Sequence, residues 1–147
     1  MHHLQVLKDY LLGIQNPLII TIEGDRNEIT LAGDRTMNVT PVFVNNSVIG
    51  VSVDNLGAQP FLPIEVFVAT ISLLSLAPGY CAIKGSAMGG RLGTLALPIN
   101  SVEGHVANIV YGKITGQSVF QRITPISRIL QAAGVCNNPG NGTLTLM

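Results

Sequence analysis

The sequence predicts an α+β fold, mainly antiparallel sheet built from short strands and hairpins, with about three helices. Segments rich in β-branched residues alternate with glycine and asparagine turns, which is typical of hairpins. Apolar residues recur at helical spacing near the start and the end of the chain, and a strongly apolar stretch lies in the middle. The 147 residues match one ordinary domain, so we expect a single globular domain over 1–147.

The N-terminal helix is predicted from His3 to Gln15, and Asn16-Pro17 ends it. Its apolar positions recur at helical spacing: Leu4, Leu7, Leu11 and Ile14. Two hairpins follow. The first joins residues 18–23 to 28–31, and the second joins 39–44 to 48–53 through Asn45-Asn46, because asparagine tolerates positive φ.

The middle helix is predicted from Pro63 to Leu76, and Pro78-Gly79 ends it. A strand also suits its β-branched residues, but one small, weakly polar stripe recurs at helical spacing and favours helix: Glu65, Ala69, Ser72 and Ser75 or Leu76. A helix this apolar has to be covered nearly all round. We therefore expect it to lie across the sheet, with a partner subunit covering its other face.

The second half is predicted to contain mostly extended segments around a glycine-rich loop. Extended structure is expected at 80–84, a loop at 85–93, and strands at 94–99, 105–110, 114–120 and 143–146. The last helix has Thr124 as its N-cap, Pro125 at its first position and Gly134 as its stop. Its buried face is expected to contain Ile126, Ile129, Leu130 and Ala133.

Composition excludes several functional classes. Hydrophobic residues make up 47% and charged residues 11% of the chain, which excludes disorder. Eight basic residues balance eight acidic ones, so we expect no nonspecific nucleic-acid binding. The most apolar stretch, 61–83, is interrupted by prolines, a glutamate and a glycine, and no basic cluster flanks it, so no membrane span is expected. The low charge then indicates a homo-oligomer.

The start of the chain lacks the pattern of a secretory signal, so a cytoplasmic location is expected. The two cysteines, Cys81 and Cys136, are expected to be free, buried thiols. His2, His3, His105 and the cysteines show no paired spacing, so no metal site is predicted. No cofactor is identified by the sequence.

The glycine-rich loop is the first candidate site, for a small anionic ligand. Clustered glycines let backbone amides approach an anion, and two basic residues flank the cluster. The predicted ligand-binding residues are Lys84, Gly85, Ser86, Gly89, Gly90 and Arg91. The segment is not a P-loop, because Arg91-Leu92 stands where Lys and Ser or Thr belong. The alternative is a turn whose glycines permit close backbone packing.

Glu103 and His105 are the second candidate, as a catalytic acid–base pair. On a regular strand, residues two apart share a face, so Glu103 would orient His105. A bulge at Gly104 would separate them. The alternative is a half-buried histidine that hydrogen-bonds a neighbour.

Two weaker patterns remain. Cys81 with His105 would make a nucleophile and base, although their spacing does not test the pairing. The densest charged stretch, 23–35, contains Gly-Asp-Arg twice, which is typical of solvated turns. The alternative to solvated turns is that Arg26 and Arg35 bind a carboxylate through bidentate hydrogen bonds.

Three functions fit these patterns. The first is a small oligomeric ligand-binding or regulatory domain that uses the glycine-rich loop. The second is a small hydrolase or lyase that uses Glu103 and His105, and the third is an assembly subunit without a small-molecule site. No complete catalytic constellation is present in the sequence, which ranks binding or assembly above catalysis and leaves enzymatic activity open.

Overall fold

The computed structural model describes residues 2–14, 18–21 and 36–147. Four helices are described: α1 (His2–Leu12), α2 (Ile64–Leu76), α3 (Val102–Ile109) and α4 (Ile123–Ala132). The strands are β1 (Leu18–Thr21), β2 (Thr36–Val44), β3 (Ser47–Val53), β4 (Phe61–Pro63), β5 (Cys81–Ile83), β6 (Cys136–Asn137) and β7 (Thr143–Leu146). Short 3-10 turns occupy Asp54–Leu56 and Pro78–Tyr80. The predicted α+β class is confirmed.

The strands form two antiparallel sheets. One has the order β1-β2-β3-β4, and the other has the order β5-β7-β6. The predicted second hairpin is confirmed: Asn45 (φ 51°) and Asn46 (φ 65°) connect β2 to β3, and both have the positive φ of a type I′ turn. In the described residues, β1 pairs with β2, while the second strand predicted for the first hairpin, 28–31, lies outside them.

Helix α2 lies at the centre of the core, because it contacts the other three helices and strands of both sheets. Its buried residues are Val66, Phe67, Ala69, Thr70, Ile71 and Leu74. The Thr70 hydroxyl is satisfied within the helix, since it donates to the Val66 carbonyl at 2.8 Å. The protein's own elements therefore cover most of α2, and the expectation that a partner subunit covers its other face stays a prediction. None of the described helices is long and apolar enough to cross a bilayer.

The predicted strand at 105–110 is wrong, because these residues belong mostly to α3. Ser101 begins this helix: its hydroxyl accepts a hydrogen bond from the Gly104 amide at 3.1 Å. The segment between the predicted strands 94–99 and 105–110 thus contains the start of a helix. No strand forms at 94–99 or 114–120 either, where the chain runs through turns and irregular backbone.

The start of α4 also differs from the prediction. The N-cap position is Arg122, which makes no capping hydrogen bond with its own side chain, and Thr124 lies inside the helix. Glu103 of α3 caps α4 instead, because its Oε1 accepts from the Arg122 amide at 2.6 Å. The predicted stop is confirmed, since Gly134 follows the helix with φ 76°.

Candidate functional site

His105 lies on α3 between two adjoining cavities and lines both. Its side chain is half-buried, and this burial lowers the pKa of the imidazole below its ordinary value of 6.5. In the part of the chain that the structure describes, no group hydrogen-bonds to the imidazole. The ring is therefore neutral at pH 7, with one donor and one acceptor available to a bound molecule.

The first cavity has a volume of about 490 Å³ and lies between the C-terminal end of α2, the 3-10 turn that follows, β5 and α3. Its walls are mainly apolar side chains. Four residues add polar or reactive groups: Ser72, Cys81, Asn100 and His105. The cavity therefore combines an apolar volume with a few groups able to orient a ligand.

The second cavity has a volume of about 530 Å³ and lies between α2 and α3. Ser72 and His105 line it as well as the first cavity, so the two adjoin along α2. Glu65 is exposed and is the charged residue that lines it among those described. We call the two cavities together the α2–α3 groove.

The small stripe predicted on α2 lines this groove. Glu65, Ala69, Ser72 and Leu76 fall on one face of the helix at spacings of three and four residues, and all four line a cavity. Small side chains at Ala69 and Ser72 leave the space between α2 and α3 open. The sequence thus identified the residues of the stripe, while their role as the floor of a groove depends on the position of α3.

The predicted pairing of Glu103 with His105 is not formed. The prediction assumed a strand, but on a helix residues two apart point in different directions. Glu103 is 1% exposed and caps α4, whereas His105 faces the groove. Burial raises the pKa of Glu103 from 4.5 to about 7, although hydrogen bonds from the Arg122 and Ile123 amides and the Arg122 charge lower it.

Arg122 is a buried cation that sequence reasoning missed. Its guanidinium carbon lies 3.7 Å from the centre of the Tyr111 ring and 4.8 Å from that of the Phe120 ring. Nη2 donates to Gln59 Oε1 at 2.9 Å. No local pattern predicts this cluster, because Gln59 is 63 residues away along the chain. Because Arg122 is buried beside Glu103, the side of α3 that carries Glu103 forms part of the core.

Lys84, one of the predicted ligand-binding residues, is 6% exposed and is bonded into the fold. Its Nζ donates to Asn138 Oδ1 at 2.8 Å, its amide donates to the Gly142 carbonyl, and its carbonyl accepts from the Glu103 amide. Arg91 is exposed, with Nη1 3.5 Å from the Gly116 carbonyl. The two basic residues therefore have different surroundings.

The glycine-rich loop is packed closely. A Cβ on Gly85, which has φ 78°, would overlap the Ser101 side chain, and one on Gly89 would lie 2.8 Å from the Ala96 Cβ. The Ser86 amide donates to the Ala96 carbonyl at 2.8 Å, and the Gly89 amide donates to the Ser86 carbonyl. These contacts favour the close-packing alternative, and anion binding by the loop, which would also use Gly90, stays a prediction.

Two further predictions concern metals and the charged stretch. Within residues 2–14, 18–21 and 36–147, no group of three or more His, Cys, Asp or Glu side chains could hold a metal ion. Arg26 and Arg35, with the rest of the Gly-Asp-Arg segments, lie outside the described residues.

The chain was compared with protein-family models, curated proteins and solved structures. None of them matches it.

Proposed function

We propose that this protein is a small-molecule-binding domain and that its ligand occupies the α2–α3 groove. One observation carries the proposal: a half-buried imidazole, which no described group hydrogen-bonds, lies where the two cavities adjoin. Neither ring nitrogen of His105 is among the buried, unpaired side-chain atoms of the described residues, so the ring is accessible to a bound molecule. A ligand with one hydrogen-bonding group would pair with His105.

The chemistry of the groove restricts the ligand class. Volumes of about 490 and 530 Å³ fall in the range of small-molecule sites, and the walls are mainly apolar. The Glu65 carboxylate at the second cavity disfavours an anionic ligand, and neutral His105 does not attract one. The ligand is therefore an uncharged, largely apolar molecule with a hydroxyl, amide or carbonyl group directed at His105.

Ser72→Phe is expected to weaken ligand binding, because a phenyl ring at this position would fill space in both cavities. The probe is N-phenyl-1-naphthylamine, an uncharged apolar fluorophore with one N–H group, titrated against the full chain. We expect its affinity to fall about tenfold or more, which corresponds to about 1.4 kcal/mol.

Ser75→Phe is the matched control. Ser75 is an exposed residue of the same helix that lines neither cavity, so this variant is expected to bind the probe as the wild type does. Circular dichroism confirms that both variants are folded. Equal affinity in the wild type and Ser72→Phe, or no binding by the wild type, would contradict a site in the groove.

Self-association through the groove rim is the second candidate function. Leu76 is 85% exposed and Ile109 is 60% exposed, and both line the groove. Exposed apolar side chains around one groove favour burial against another surface. Native mass spectrometry would measure the assembly against multiples of 15.5 kDa, and an excess mass would reveal a retained ligand. A homo-oligomer that Leu76→Lys converts to monomers would support this function, and a wild-type monomer would exclude it.

The remaining predictions have less support from the geometry. Glu103 and His105 lie apart, so the geometry does not support a hydrolase or lyase that uses this pair. A regulatory role and a cytoplasmic location stay predictions.

A further inference from the structure

The first cavity is lined by a thiol as well as by an imidazole. Cys81 begins β5 directly after the 3-10 turn, and it is half-buried against this cavity, which His105 also lines. The sequence separates the two residues by a turn-rich stretch, and the fold brings them to one cavity. Any molecule that fills this volume meets both groups.

His105 has an acceptor nitrogen that is available for a proton. The ring is neutral at pH 7 and makes no hydrogen bond to any described group, so its acceptor nitrogen is available. Glu65 is the charged residue that lines the groove with it, at the second cavity and in an exposed position. No Lys or Arg of the described residues lines either cavity. Cys81 and His105 line the same cavity, and a base that reaches a thiol activates it as a nucleophile.

We propose that Cys81 and His105 form an acyl-transfer site, with Cys81 as nucleophile and His105 as general base. The substrate class is an uncharged ester or thioester with a short apolar acyl chain, which the apolar walls of the first cavity would accommodate. This inference rests on the proposed binding function, because the substrate has to occupy the groove.

The reaction has two balanced steps. The Cys81 sulfur forms a bond to the carbonyl carbon while its proton passes to the His105 imidazole. The bond from that carbon to the leaving group then breaks, and the leaving group departs with the electron pair and takes the proton from the imidazolium. The product is a thioester on Cys81. Water, deprotonated by His105, attacks this thioester, which releases the carboxylic acid and restores the thiol.

The experiment uses p-nitrophenyl butyrate and the full-length protein. We expect a burst of about one equivalent of p-nitrophenol, the signature of an accumulating acyl-enzyme. Mass spectrometry of the intact protein and its peptides should find one butyryl group on Cys81. A butyryl group on Cys136, or none on Cys81, would overturn the proposal without any variant having to fold.

Two variants and one control separate the roles. Cys81→Ala should abolish the burst, and His105→Gln should slow acylation about a hundredfold or more, since a general base typically contributes at least that factor. Cys136→Ala is the matched thiol control: Cys136 is 1% exposed, burial raises its pKa to about 12, and its loss should leave the burst unchanged. Acylation at the wild-type rate in His105→Gln would overturn the role of the imidazole.

The binding probe distinguishes the two proposals. Binding of N-phenyl-1-naphthylamine is measured on the wild type, because Cys81 itself lines the cavity and its replacement would change the walls. Probe binding by the wild type without acylation of Cys81 would overturn the acyl-transfer site alone. Failure of the probe to bind would instead contradict the proposed binding function.

Discussion

Gly104→Ala is expected to lower the free energy of unfolding by about 3 kcal/mol, which is at the upper end for overpacking. Helix propensity alone predicts the opposite sign, since alanine stabilises a helix interior by about 1 kcal/mol relative to glycine. The packing contacts outweigh this helix propensity, because a Cβ on Gly104 would overlap the Pro98 carbonyl oxygen and lie 3.0 Å from Ser101 Oγ. Backbone cannot rotate away as a side chain can, so α3 would have to shift.

Gly13→Ala is the control for this variant. A Cβ on Gly13, just after α1, would meet its nearest atom at 3.5 Å, which is ordinary contact, so we expect a change within about 0.5 kcal/mol. Urea unfolding followed by circular dichroism measures both. A shift of α3 would also move His105, so Gly104→Ala should weaken binding of the naphthylamine probe. Gly104→Ala as stable as the wild type would show that α3 does not pack against Pro98 as described.

Glu103 is expected to make the protein less stable as the pH rises from 4.5 to about 7. Its pKa is raised from 4.5 to about 7 in the folded protein, mainly because burial penalises the charged form. Between these values the folded state binds more protons than the unfolded state, so the free energy of unfolding falls as pH increases. The total change is about 3 kcal/mol, since one pH unit corresponds to about 1.4 kcal/mol.

Glu103→Gln tests this dependence, because it keeps an oxygen able to accept from the Arg122 amide and does not titrate. The free energy of unfolding is measured by urea titration at several pH values for both proteins. His105 acts in the opposite direction: burial lowers its pKa, so its contribution increases as pH rises toward 6.5. Subtracting the free energy of unfolding of Glu103→Gln from that of the wild type at each pH removes the contribution of His105, because both proteins share it. A difference that does not vary with pH would contradict the buried, titrating carboxyl.

Much of the fold could be predicted from local patterns. The α+β class, α2, the β2–β3 hairpin and the stop of α4 at Gly134 are confirmed. Each depends on nearby residues: an apolar repeat, a two-asparagine turn, or a glycine after a helix. These are signals that act within one or two turns of chain.

The region around α3 was predicted wrongly because its local signals conflict. Three of the eight residues are valine or isoleucine and one is glycine, a composition that suits a strand about as well as a helix. The helix is specified by Ser101 at its start and by the close approach of Gly104 to Pro98. The second of these is a packing contact, which sequence periodicity does not reveal.

The sequence by itself determined the class of fold, the small stripe on α2 and the choice of His105 as a candidate. Only the tertiary structure decided that His105 and Cys81 line one cavity and that Glu103 caps α4 instead of pairing with His105. The physical reason is the distance along the chain over which each kind of interaction acts. Helix and turn propensities act between neighbours, whereas a cavity and a buried carboxyl depend on packing between elements distant in sequence.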